Sequence, residues 1–210
     1  VPSNPCAAIV IPTLNPERAG ELAQIAQETA GVPVTVIIVA DCSRRGGTIP
    51  TNAGFRAAIE LAPYIVYLND DVDLSKSGWE WLARLIEALE EDPLYGIAAP
   101  SGPCRTGVQN TVGPGAEPGV FVVDKPLAWF CAVIKRELMR TVGFFDTDMI
   151  HYACDSDYTR RAQVAGWKSI WVRDVYVDHH PGDPIADWWK HDREIYKVKW
   201  WHYERAQRGG

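Results

Sequence analysis

Apolar residues fall along this chain in short unbroken runs, separated by stretches of helical period. Residues 7–11, 34–40, 64–68 and 95–99 each read as a strand covered on both faces, because such a run leaves no polar side for solvent. Between the first two, Asn15 is placed to cap a helix with Pro16 at its first position. Leu22, Ile25 and Ala26 share one face of that helix, which is expected to stop near Gly31, with Pro33 behind it. A second helix opens at 51–54 and runs to about residue 61. Ser77 and Glu80 have capping-box spacing for a third, with Leu82, Leu85, Ile86 and Leu89 inward and Asp92-Pro93 at its end. Alternating strands and helices imply a parallel sheet with right-handed crossovers.

Beyond residue 100 the pattern loosens. Residues 101–119 are rich in Gly and Pro, and a loop this long inside one domain is usually functional or mobile. Strands are expected at 120–123, 128–134, 169–172 and 175–177, and helices at 136–142 and 155–165, ended by Gly143 and Gly166. Residues 186–205 read as an aromatic helix in which Trp189, Tyr196, Trp200 and Tyr203 share a face, with Lys190, Arg193 and Lys197 on another stripe. Either the aromatic face packs on the core, or it meets a membrane surface or a partner, a second copy of the chain included.

Composition narrows the class. The 210 residues suffice for one generous domain with its own core. A net charge of −6 argues against a duplex nucleic-acid binder, which needs a basic surface. Five cysteines, an odd number without a C-x-x-C pair, favour a reducing compartment. With no signal-peptide pattern and no run long enough to span a bilayer, the expected location is cytoplasmic, with peripheral membrane contact as the variant reading.

The candidate chemistry lies at 64–73, where a buried strand runs into Asn69, Asp70, Asp71 and Asp73. Open α/β sheets bind ligands at this C-terminal edge. Clustered carboxylates repel one another, and Mg²⁺ or Mn²⁺ shared with a substrate phosphate would neutralise them. Asp-x-Asp recurs at Asp146/Asp148 and Asp155/Asp157, so position after the strand, not the pattern, singles out the first. A zinc set of His151, Cys154, His179 and His180 is the other metal reading, although its spacing fits no common zinc pattern.

Taken in order, these pieces resemble a family 2 glycosyltransferase of the GT-A fold over nearly the whole chain. Residues 9–15 are similar to that family's opening strand, and 36–43 to its second strand with the nucleotide-contacting Asp. Asn52-Ala53-Gly54 resembles its Asn-x-Gly segment, and Leu68-Asn69-Asp70-Asp71 its Asp-x-Asp region. Residues 134–138, 142–146 and 155–167 resemble its catalytic half. The chain departs from the pattern at Cys154, where Glu is usual, at Asn69, and at Trp129, where Gly is common.

The resemblance implies a Rossmann-like nucleotide-sugar half (1–100), an acceptor and catalytic half (101–182) and a C-terminal aromatic helix (183–210). It implies a mostly parallel sheet flanked by helices, a nucleoside-diphosphate sugar as donor, and a divalent metal held by Asp71, Asp70 and His179, with His180 in reserve. Thr13 and Asp41 would bracket base and ribose, with Asn52 and Asp70 supporting the donor. Asp155 would be the general base of an inverting displacement, with Asp157 and Arg161 as support. Trp129 and Phe130 are candidates for stacking on a sugar or acceptor, or for the core. The acceptor hydroxyl, on a glycan, a lipid-linked group or another molecule, is open. The competing readings are a nucleotidyltransferase of related architecture and a sugar-nucleotide or glycan-binding module without chemistry.

Overall fold

The computed structural model describes residues 5–41, 44–104, 108–110 and 112–208. The expected strand end at Cys42-Ser43 and parts of the 101–119 loop therefore lie outside the described residues. The strands are β1 (Ala7–Thr13), β2 (Val34–Ala40), β3 (Tyr64–Leu68), β4 (Val72–Asp73), β5 (Tyr95–Ser101), β6 (Val120–Val123), β7 (Cys131–Lys135), β8 (Lys168–Tyr176) and β9 (Asp178–His179). The α-helices are α1 (Pro16–Thr29), α2 (Thr48–Leu61), α3 (Trp81–Glu90), α4 (Arg136–Val142), α5 (Cys154–Val164) and α6 (Ala186–Arg208).

One seven-stranded sheet has the order β2-β1-β3-β7-β5-β8-β6, and β4 pairs with β9 in a separate ribbon. The parallel set β2, β1 and β3 continues past β7 into β5 and β8, which run the same way, while β6 and β7 run against them. The sheet is thus mostly parallel. Helices cover both faces. Ala7, Ile9 and Ile11 of β1 enter one core cluster with residues of α1 and α3, while Ala8 and Val10 enter the other with α2 and α5. Two buried faces are the physical reason the run carries no polar alternation.

Several boundaries differ from the sequence expectation. Ser77 and Glu80 do not form a capping box. Glu80 is left-handed (φ 73°) and its N–H goes to Thr29 O at 2.8 Å, so α3 starts at Trp81 without a side-chain cap. A Cβ on Gly31, itself at φ 75°, would come within 2.6 Å of Glu80 Cα, so α1 and this turn meet at a position that only Gly fits. The expected pair of strands at 169–177 is one strand, β8. Residues 128–130 precede β7 and do not belong to it. On α6, Trp200 is buried while Trp189 stays 41% exposed beneath the Arg193 guanidinium, so the aromatic face is only partly a core face. Among the described residues no helix is long and apolar enough to cross a membrane.

Candidate active site

β3 ends at Leu68, and the chain turns through Asn69, Asp70 and Asp71 into the β4–β9 ribbon. In that ribbon Val72 faces His179 and Asp73 faces Asp178. The register sets His179 beside Asp71, with Nε2 3.3 Å from Oδ1, and the His180 N–H bonds Asp71 O at 3.0 Å. His179 Nδ1 lies 3.0 Å from the Pro103 carbonyl, which can only accept. Nδ1 therefore donates to that carbonyl, while Nε2 faces Asp71 Oδ1 and lies 3.5 Å from Asn69 Nδ2. The ring stacks on Phe130 at 4.9 Å and 15°. Asp71 Oδ1 is buried, and among the described residues no group donates a hydrogen bond to it. Asp71 Oδ1 and His179 Nε2 thus face each other at 3.3 Å, a pairing that can serve as an ion pair when the ring is protonated or as two ligands to a divalent cation when it is not.

Asp70 is placed differently from the expectation. Thr13 Oγ1 donates to its Oδ2 at 2.5 Å and Arg18 to its Oδ1 at 2.7 Å, so both oxygens are engaged within the protein. Asp70 thus links the ends of β1 and β3 and holds Arg18. Asp41 ends β2, takes the Arg45 N–H at 2.8 Å, and its own N–H bonds Thr13 O at 2.8 Å. Thr13, Asp41 and Asp70 thus gather at one sheet edge. Asn52 does not join them. It is 2% exposed, and its amide exchanges two hydrogen bonds with the Phe145 backbone, both 2.9 Å. Both polar ends are spent on tying α2 to the later half, which corrects Asn52 as a donor-binding residue.

Asp155 lies in the first turn of α5, after Ala153 in the left-handed region (φ 57°). Its Oδ1 accepts the Ser156 N–H at 2.6 Å and its Oδ2 the Trp129 N–H at 3.3 Å. Burial pushes its carboxyl above the ordinary Asp value, and these N–H groups offset only part of the rise. Such a carboxylate is a better proton acceptor than a solvated one. Trp129 contributes its backbone, not its ring. The ring is 5% exposed and packs among Tyr67, Phe145 and Tyr158. Phe130 is 1% exposed and backs His179. Neither ring offers a face to a sugar, which corrects both stacking candidates in favour of the core. Asp157 is fully buried, receiving Arg161 Nε at 2.8 Å, Trp200 Nε1 at 3.0 Å and Lys199 Nζ at 2.8 Å. Arg161 also donates to Val142 O and Phe144 O, so the pair braces α5 against α4 and α6.

Two groups join the Asp71 and Asp155 ends. Burial raises the Tyr67 hydroxyl pKa well above normal, and the charges on Asp155, Asp71 and Asp70 add to the shift. Burial lowers the His151 imidazole, opposed by Asp192, Asp155 and Asp71. Both groups thus feel the charges of Asp71 and Asp155. Sequence pattern marks His151 only as a member of the zinc set, and does not mark Tyr67, Arg18 or Gln109 as site residues. The buried Gln109 amide donates to Pro100 O and Ala128 O at 3.1 Å and accepts the Ala128 N–H at 2.7 Å, fastening the Gly/Pro-rich loop to the segment before β7. Nothing in local periodicity distinguishes a Gln or Arg that finds its partner across the fold.

Among the described residues, Asp73, Asp178 and His180 form the one three-membered group of potential ligands, and the proposed zinc set does not assemble. Lys76 Nζ sits 2.6 Å from Asp178 and the Ser75 N–H binds Asp73, so this cluster is already partly satisfied.

Solved structures share this arrangement of sheet and helices. GalNAc-T7, crystallised with UDP, GalNAc and Mn²⁺, superposes with a TM-score of 0.59 over 85% of this chain and 44% of its own, at 14% identity. The fold is GT-A. The catalytic domain of Drosophila beta1,4-galactosyltransferase 7, in complex with xylobiose, gives a TM-score of 0.48 over 80% of this chain and 63% of its own, also at 14% identity. The chain thus spans less than two thirds of either GT-A glycosyltransferase. No family model matches it, and no curated protein matches it.

Proposed function

We propose that the chain is a metal-dependent glycosyltransferase of the family 2 type, moving a sugar from a nucleoside-diphosphate sugar to an acceptor hydroxyl with inversion. The observation that carries this reading is the buried Asp71 Oδ1, without a hydrogen-bond donor among the described residues, facing His179 Nε2 at 3.3 Å. In this reading residues 1–100 hold the donor, 101–182 the acceptor, and 183–210 brace the catalytic helix. Thr13 and Asp41 bracket the nucleoside, and Arg18, held by Asp70, faces the diphosphate end. Asp71 and His179 would hold a divalent cation, which when bound would supply positive charge for the leaving diphosphate. An imidazole beside a carboxylate favours Mn²⁺ over the harder Mg²⁺. The Mn²⁺ and UDP in the GalNAc-T7 complex make that pair the first to test.

Asp155 takes the proton of the acceptor hydroxyl as its oxygen bonds the anomeric carbon. The bond from that carbon to the diphosphate oxygen breaks on the opposite face. A single displacement needs one base and no protein nucleophile, which accords with one half-buried carboxylate of raised pKa.

The test is a panel of nucleotide sugars with Mn²⁺ or Mg²⁺, scored for release of nucleoside diphosphate. Metal-dependent release that disappears in Asp155→Asn, while nucleotide binding survives, supports the assignment. Metal-dependent binding without release from any donor would make the chain a binding module. Release unaffected by chelation would remove the metal.

A further inference from the structure

Asp192 sits on the aromatic helix α6, yet unlike the helix's other acids it is fully buried. Its Oδ1 accepts the Ile150 N–H at 2.8 Å, and its Oδ2 accepts those of His151 and Tyr152 at 2.8 and 2.7 Å. His191 Nδ1 lies 2.8 Å from Oδ1. Three successive backbone N–H groups converging on one carboxylate make a nest filled by a side chain instead of an external anion.

The other side of this strap is held by the N-terminus of α2. Ile150 O accepts the Thr48 N–H at 3.1 Å, and His151 Nδ1 accepts the Gly47 N–H at 3.1 Å. Gly47 allows the approach, since a Cβ there would come within 2.7 Å of His151 Nδ1. Residues 150–152 are therefore clamped between α2 and α6. The next residue is the left-handed Ala153, and the turn after it carries Asp155. A non-glycine residue persists at φ 57° only where its neighbours over-determine it.

We propose that Asp192 is a positioning residue for transfer: it latches the 150–152 strap so that Ala153 holds its left-handed turn and Asp155 reaches the reacting hydroxyl. The proposal rests on the role assigned to Asp155 above. It makes α6 part of the catalytic apparatus, because the helix supplies the anion the strap is built on. A misplacement of about 1 Å at a reacting group can cost on the order of 100-fold in rate. Asp192→Ala should therefore lower kcat by about that factor. Asp192→Asn keeps one acceptor oxygen and should fall between.

The experiment measures three properties of wild type, Asp192→Ala and Asp192→Asn. Steady-state kinetics gives kcat and KM. Calorimetry gives UDP binding with Mn²⁺. Amide NMR follows Trp129 and Ser156, whose N–H groups bond Asp155 and so report its place without any turnover. Expected are a kcat loss in the order Ala then Asn, UDP binding within twofold of wild type, and shifted Trp129 and Ser156 amide signals. Unmoved amide signals in a folded Asp192→Ala would overturn the latch. So would unchanged kcat, or loss of UDP binding in step with kcat, which would mark general destabilisation. If the wild type neither transfers nor hydrolyses any donor, the assigned function fails instead, and the amide signals still decide whether Asp192 places Asp155.

Discussion

Replacing Asp71 by Asn separates the metal reading from any structural role for the Asp71–His179 pair. Without a cation, the buried Oδ1 accepts no hydrogen bond among the described residues, and His179 Nε2 lies 3.3 Å away. A buried acceptor left unmade costs about 1–3 kcal/mol. An Asn amide can turn its NH₂ to Nε2 and removes the charge, so the metal-free variant should recover a share of that sum. At roughly 2–4 °C per kcal/mol for a domain of this size, the metal-free Tm should rise by about 2–10 °C. The bound state should move the other way. UDP and Mn²⁺ at about 100 times Kd add roughly 2.7 kcal/mol to the wild type, or about 5–10 °C, and the variant should lose that increment. Thermal melts of both proteins, with and without UDP and Mn²⁺, should therefore cross: Asn higher when empty, Asp higher when loaded. A less stable empty variant would refute the orphaned-acceptor argument. A variant that keeps the full Mn²⁺-dependent rise would refute Asp71 as ligand.

Three further outcomes follow from the same contacts. Because burial raises the Asp155 carboxyl and the base must be ionised to act, kcat should fall on the acid side through a pKa above the ordinary ~3.9. Asp155→Asn should lose activity by about 100-fold or more, and the acid limb in its residual pH–rate profile should be gone. Asp157→Ala should destabilise by about 3 kcal/mol, the low end for breaking a buried ion pair. The reason is that Arg161 keeps Val142 O and Phe144 O and Lys199 keeps Asp146, leaving Trp200 Nε1 as the orphan; urea melts read the difference. Burial pushes the Asp192 carboxyl up, but the strap N–H groups and His191 outweigh it and hold the group below its ordinary value. Its contribution to stability is therefore full above the unfolded pKa of ~3.9 and lost as pH falls through the lower folded value. The stability of Asp192→Asn should depend less on pH across that range, which acid titration followed by circular dichroism measures.

The sequence pattern located what depends on near neighbours in the chain. Unbroken apolar runs marked β1, β3 and β5 because two-sided burial leaves its trace residue by residue, whereas the run expected to be buried at 34–40 is the edge strand β2, partly exposed along its length with Ile38 40% exposed. The Asn15 cap and Pro16 marked the start of α1, where the Asn15 side chain does accept the Arg18 N–H. Asp71, Asp155 and His179, the residues proposed for the chemistry, all stand at strand or helix ends on the described fold. What stayed hidden were pairings across the chain. Asn52 and Phe145 are 93 positions apart, and Asp70 and Arg18 are 52 apart. A polar residue whose partner is fixed by topology has the same local signature as one that waits for a ligand. Trp129 misled for the related reason that an aromatic residue beside a site looks alike whether its ring or its backbone N–H does the work.

That distinction bears on the part the later half of the chain plays. His179 Nδ1 is held by Pro103 O in the Gly/Pro-rich loop, and that loop is fastened to Ala128 by Gln109. Two residues beyond Asp155, Asp157 is anchored by Trp200 and Lys199 of α6, and the strap before it is anchored by Asp192. Each acid in the proposed mechanism is thus set by a segment with no chemistry of its own. Buried polar contacts of this kind are worth more for fixing one arrangement than for net stability. Substitutions at Gln109 or Lys199 should accordingly cost more in turnover than in melting temperature, whereas core changes such as Phe55→Ala, in a ring that touches Tyr67 and Phe145, should do the reverse. Comparing the ratio of the two losses across these positions would show whether the supporting segments serve the site or merely the fold.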